Sequence, residues 1–232
     1  MTAEDLPYSP RAFLRLQSWL SPSFPNGAYS YSHGLEWAVE AGDIHDRSSL
    51  VDWLEADLWY GSGRNEAIFF SEAYRCVIKS NQAGLTRVAE LAAAFRGTSE
   101  FALESSQQAT ACLTTLRQVW PHPVLDSFLE MNCQPVQAVV LGARSAAERI
   151  QVRAALPAFL QSYVANLVLA GVKLIPLGQT DGQLAISALE DAVLSSSTQG
   201  NCATLDDLGS AAFMVELASI AHEAQYTRLF RS

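Results

Sequence analysis

Leu160, Val164, Leu167, Val168 and Gly171 recur behind Pro157 at intervals of three and four residues, the spacing that lines side chains along one face of an α-helix. Leu50, Leu54 and Leu58, with Val51, keep the same period. "NEAIFFSEAYRCVI" and "LTRVAELAAAF" continue it. No period of two persists, and no Asn-Gly turn joins β-branched runs. "AVVLGA" and "VKLIPL" have the composition of buried strands, but two isolated runs do not make a sheet. The pattern predicts an all-α fold, a single compact bundle of roughly ten helices over residues 1–232. A mobile N-terminus (about residues 1–8) and a docking tail (about 222–232) complete the expected organisation.

Local punctuation supports the helices. Ser9-Pro10 supplies a cap and a proline at the first helical position. "LEWAVEA" predicts a short helix stopping near Gly42, and Ser49 to Asp52 reads as a variant capping box. Thr98 caps a segment reaching about Trp120, where "PHP" breaks it. Pro135 and Pro157 are placed at helix starts, and Thr180 or Asp181 at a cap. Thr204 to Asp207 predicts the cap of a last long helix, apolar on most sides and therefore central.

Composition narrows the function classes. Charged residues make up only 17% of the chain, low for a free surface, which points to apolar surface covered by partners. The net charge of −9 disfavours a nucleic-acid partner. Lys79 and Lys173 are the only lysines; the other basic residues are arginines, suited to planar contacts at interfaces. Cys76, Cys112, Cys133 and Cys202 are scattered, which predicts reduced core thiols rather than disulfides or a closed zinc site. The acidic start "MTAEDLPYSP" has no apolar signal core, and no uninterrupted apolar run is long enough to span a bilayer. The expected location is cytoplasmic, with no membrane partner.

Catalytic motifs are incomplete. Ser30-Tyr31-Ser32-His33-Gly34 misses the first glycine of a nucleophile elbow and has no strand before it, so a serine hydrolase using Ser32 or Ser30 is the weaker alternative. His33, His45, His122 and His222 fall in four segments without metal-ligand spacing; His222-Glu223 is half of a zincin motif. Gly61-Ser62-Gly63-Arg64 lacks the lysine and serine of a phosphate-binding loop. No catalytic residue, cofactor or stable metal site is expected.

Two stretches carry specificity without chemistry. In "SPSFPNGAYSYSHGLE", Pro22 and Pro25 force extended geometry, and Asn26-Gly27 reverses the chain. Phe24, Tyr29 and Tyr31 then either staple the loop to the core or form an aromatic interface; residue types alone favour the core. The tail "HEAQYTRLFRS" sets Tyr226, Leu229 and Phe230 among Arg228 and Arg231, which reads as a docking peptide or a helix end folded onto its own domain.

"SPSFPNGAYSYSHGLEWAVEAG", "VKLIPLGQTDGQ" and "HEAQYTRLFRS" together resemble urease accessory protein F (UreF), with "ESSQQATACL" resembling a further helix of that family. The likeness covers essentially the whole chain. It implies an all-α, non-enzymatic homodimer that assembles with the accessory protein UreD (also called UreH) and the GTPase UreG. That assembly delivers nickel to apo-urease, whose active-site lysine must be carbamylated, through a tunnel formed with the D/H protein. It further implies a tail that orders on meeting the D/H protein, after which its arginine, here Arg228, steadies the loop tyrosine, here Tyr29, that recruits the GTPase. Lys173, Pro176, Gly178, Gln179 and Asp181 match the family's inner block, and Glu36 lies in its first; the resemblance overturns the preference for core packing and implies Phe24, Tyr29, Tyr31, Glu36, Lys173, Gln179, Asp181, Tyr226, Arg228, Leu229, Phe230 and Arg231 as the partner-binding residues. Asn26 stands where the family often has isoleucine, and His33 at a variable position, read as solvent-facing.

Overall fold

A computed structural model describes residues 8–232, so the expected mobile N-terminus falls almost wholly outside the described residues. Twelve α-helices follow one another among the described residues: α1 Pro10–Leu20, α2 Leu35–Glu40, α3 Arg47–Tyr60, α4 Ser62–Ile78, α5 Gln82–Ala94, α6 Ser99–Val119, α7 Pro123–Asp126, α8 Gln137–Ala147, α9 Val152–Leu174, α10 Gln179–Ala188, α11 Glu190–Cys202 and α12 Phe213–His222. Three short 3₁₀ turns join them, and no strand occurs among the described residues. The fold is all-α, with a few more helices than the period suggested.

The bundle is organised around α8. Every residue from Ala138 to Ala146 is buried. Its small residues let α4 approach closely: a Cβ on Gly142 would come within 2.3 Å of the Phe70 carbonyl oxygen. No side chain other than hydrogen fits that crossing. "AVVLGA" is thus a buried helix. Its apolar character on all sides reflects neighbours on all sides. The buried Arg144 of α8 donates to Glu148 (2.5 Å), which also accepts from Arg15 of α1 (2.5 Å), while the guanidinium lies 5.3 Å from the Trp19 ring centroid.

Helix α9 is long and apolar enough to cross a membrane, yet it packs within the bundle against α4, α8, α10 and α11. It begins five residues before Pro157, which sits inside it rather than at its start. The missing proline N–H leaves one helical bond unmade, at exposed Arg153. Burial of Ala155, Leu156, Phe159 and Leu160 offsets that loss.

Ser9 and Thr98 cap α1 and α6 as expected, accepting from Ala12 and Phe101. Three expectations change. Asp46, with Ser49 at the third helical position, forms the capping box of α3. At α10 the cap is Gly178, whose N–H donates to Asp181. Thr204 and Asp207 close only a single 3₁₀ turn, and α12 starts at Phe213. That last helix is peripheral: Val215, Ala218, Ser219 and His222 are buried, but Phe213, Met214, Leu217 and Ile220 are each more than half exposed. Its apolar composition extends beyond the stripe that its own bundle covers. The cysteines are all free; Cys76 and Cys112 are buried, Cys133 is half-buried and Cys202 is exposed, so the last is no core thiol.

Candidate partner-docking site

The aromatic loop and the tail meet at the entry to α2. Gly27 (φ 76°) makes the reversal after Pro25, and Asn26 Oδ1 accepts the Ala28 N–H. His33 (φ 56°) and Gly34 (φ 80°) then both adopt left-handed backbone. Histidine tolerates that region better than most residues, at a cost of about 1 kcal/mol. Gly34 is further constrained, because a Cβ there would lie 3.0 Å from the Ser219 nitrogen of α12.

This geometry divides the predicted aromatic patch. Tyr29 is 74% exposed, whereas Phe24 and Tyr31 are buried. Phe24 joins the main core, and the Tyr31 hydroxyl donates to Gln107. Both therefore position the loop from beneath and present no surface, which corrects their expected place among the partner-binding residues: their rings are taken up by the core and by Gln107. The left-handed backbone also turns His33 inward, correcting the expectation of a solvent-facing ring.

The tail lies along the same segment. The buried Glu36 carboxylate accepts the N–H groups of Leu229 (2.6 Å) and Phe230 (2.8 Å), and His222 Nε2 stands 3.2 Å from it. His222 Nδ1 faces Glu100 at 2.8 Å. Arg228 reaches Glu100 (3.1 Å) and the Glu223 carbonyl. Arg231 N–H donates to the Ser30 carbonyl, and Ser32 N–H and Oγ both donate to the Ser232 backbone oxygen. Ser232 Oγ in turn donates to Glu104, which also accepts from His33 Nδ1 at 3.2 Å. Glu36 and Phe230 are interior anchors, which removes them from any partner-facing surface in this conformation, whereas Tyr226 and Leu229 are fully and two-thirds exposed.

Lys173, at the end of α9, links the two elements: its ammonium lies 5.4 Å from the Phe230 ring centroid and 3.5 Å from the Tyr29 carbonyl oxygen. Gln179 is exposed, and Asp181 pairs with Arg47 at 3.2 Å rather than with the loop. The structure therefore gathers Tyr29, Lys173 and the tail and leaves Gln179 and Asp181 to the helix junction.

The hydrolase alternative at Ser32 fails on this geometry. Ser32 is fully buried, its hydroxyl committed to Ser232, and the adjacent imidazole faces Glu104 instead. Burial disfavours charge on His33, but Glu104, Asp57 and Glu66 outweigh it and raise its pKa above the ordinary histidine value. Composition and spacing had not indicated this carboxylate–histidine interior. Its members come from α2, α3, α4, α6, α12 and the loop, and only folding assembles them.

An all-α chain that uses buried ion pairs to lay its own tail beneath an exposed tyrosine has the makings of an assembly protein. The sequence comparisons name the group. The UreF family matches residues 44–190. A urease accessory protein UreF of Rhodopseudomonas palustris (strain BisB5) is 48% identical over 94% of this chain and 90% of its own length. Another from strain TIE-1 is 45% identical over 100% of this chain and 97% of its own. One from Bradyrhizobium diazoefficiens is 46% identical over 95% and 92%. The chain belongs to the UreF family of urease accessory proteins, and its relatives are named as accessory proteins rather than as enzymes.

Proposed function

We propose that the chain is a non-catalytic cytoplasmic scaffold that bridges the UreD/UreH accessory protein and the UreG GTPase during nickel delivery to apo-urease. The observation that carries this reading is the coupling of exposed Tyr29 to the tail through Lys173 and Phe230. Tyr29 offers the GTPase a rigid aromatic on a loop already ordered, so little side-chain entropy is lost on docking. Exposed Tyr226 and Leu229 offer the D/H protein its contacts on the same tail. Nickel is cargo of the whole assembly. No cluster of three or more metal-ligating side chains occurs among the described residues. The uncovered face of α12, with Phe213, Leu217 and Ile220 one to two turns apart, supports a homodimer closed through that helix.

Co-purification with the D/H and G proteins tests the reading. Tyr29→Ala and Arg228→Ala should lose the GTPase while retaining helical content and a normal thermal midpoint for Tyr29→Ala, whose ring makes no core contact. GTPase recovery equal to that of the unaltered chain in both variants would remove the proposal.

A further inference from the structure

His222 closes the last turn of α12, fully buried, with a carboxylate on each side of its ring. Nδ1 stands 2.8 Å from Glu100 Oε2, and Nε2 stands 3.2 Å from Glu36 Oε2. Both acids are buried, and both hold the tail. Glu36 takes the Leu229 N–H on Oε1 and the Phe230 N–H on Oε2. Glu100 takes Arg228 Nη1 on Oε1. The imidazole therefore joins two separate anchors of the tail.

The contacts also fix where protons lie. An ionised carboxylate only accepts hydrogen bonds. Backbone donors on both oxygens hold Glu36 in that form, because hydrogen bonds to a charged group favour the charge. A bare Nε2 would set a lone pair against Glu36 Oε2, and a bare Nδ1 would do the same at Glu100. Each ring nitrogen thus carries a hydrogen. Charge balance agrees. Glu36 and Glu100 against Arg228 alone would leave a buried negative charge, which an imidazolium offsets. The other charged groups on the packed elements are engaged elsewhere. On α2, Glu40 accepts from Gln225. On α6, Glu104 accepts from His33 and Ser232, and Arg117 pairs with Asp126. Glu216 of α12 lies beside Gly97, and Glu223 accepts from Ser99.

We propose that His222 is the positioning residue of the tail: held as an imidazolium, it couples Glu36 to Glu100, so that the Leu229 and Phe230 amides and the Arg228 guanidinium are held or released together. Loss of one ring proton leaves two buried acids against one guanidinium and opens the tail as a unit. The contacts that back the Tyr29 loop go with it, namely Arg231 N–H to the Ser30 carbonyl, Ser32 to Ser232 and Lys173 to the Phe230 ring. The consequence for docking rests on the partner reading above; the latch itself does not.

Nitrogen-15 resonances of the His222 ring in the full chain give the first readout. Both ring nitrogens should show protonated-type shifts at about pH 7, where a free imidazole is mostly neutral. Hydrogen exchange at the Leu229 and Phe230 amides, taken as protection relative to α8 amides, gives the second. That ratio should fall about tenfold or more as rising pH removes the second ring proton. His222→Gln keeps a side-chain donor and cannot take up charge. Its tail protection should be about tenfold or more lower at neutral pH and flat across the same range. Should this variant fail to fold, the two readouts on the unaltered chain decide. A bare ring nitrogen at about pH 7 with the tail amides protected, tail protection that ignores the ring's titration, or a folded His222→Gln with the protection of the unaltered chain would each overturn the assignment. No partner enters either readout, so their failure is distinct from a failure of GTPase capture.

Discussion

The carboxylate of Glu36 accepts the backbone N–H of Phe230 at 2.8 Å, joining residues 194 positions apart. It accepts Leu229 N–H as well, so one buried acid from the first turn of α2 fixes the path of the tail. A buried carboxylate bearing two backbone donors is expensive to lose, because its donors are left without partners.

Glu36→Ala should therefore lower stability by on the order of 3 kcal/mol and free the tail before the bundle opens. Hydrogen exchange at the Leu229 and Phe230 amides reads this directly. Both should exchange at least about tenfold faster, with α8 amides unaffected relative to the new global stability. Full protection at those two amides in the variant would contradict the anchoring role.

The His33 ring gives stability a defined pH dependence. Its folded pKa is raised, so its favourable contribution is complete below the unfolded value of about 6.5 and fades as pH climbs through the folded value. Urea denaturation at about pH 5.5 and about pH 9 should show the unaltered chain losing stability relative to His33→Asn over that interval. An equal difference between the two proteins at both pH values would show that the ring does not titrate with folding.

Packing of α4 on α8 tolerates no side chain at Gly142, where the Phe70 carbonyl stands in the way. Gly142→Ala should destabilise the fold by about 2 kcal/mol or more despite alanine's better helix propensity. Gly209, with open space around its Cβ direction, is the control, and Gly209→Ala should stay within about 0.5 kcal/mol of the unaltered chain. Equilibrium denaturation of the two variants separates them.

The thiols should divide sharply in reactivity. Burial pushes Cys112 up to about 12, whereas Cys202 is exposed. Iodoacetamide labelling followed by mass mapping at neutral pH should find Cys202 modified first and Cys112 only after denaturation. Early labelling of Cys112 would mean that the α6 packing opens readily.

Much of this was legible in the residues. Helical spacing exposed the all-α class, and Ser9 and Thr98 could be assigned as caps because capping is a contact of three residues' reach. The loop prolines, Gly27 and the aromatic tail marked where specificity resides. Spacing failed where it had to choose among apolar helices. It took α12 for the centre, yet α8 holds that place, since period reports which faces are apolar and not which neighbour covers them.

By itself, then, the sequence determined the helices, the stiff loop and the composition of the tail, all of which depend on neighbours within a turn or two. Tertiary structure alone decided that Tyr29 faces outward while Phe24 and Tyr31 face in. It also turned Glu36 and His33 into interior groups. The physical reason is range. A buried acid or imidazole is stable only beside its partner, and here Glu104, His222 and the tail amides arrive from 71 to 194 positions away along the chain.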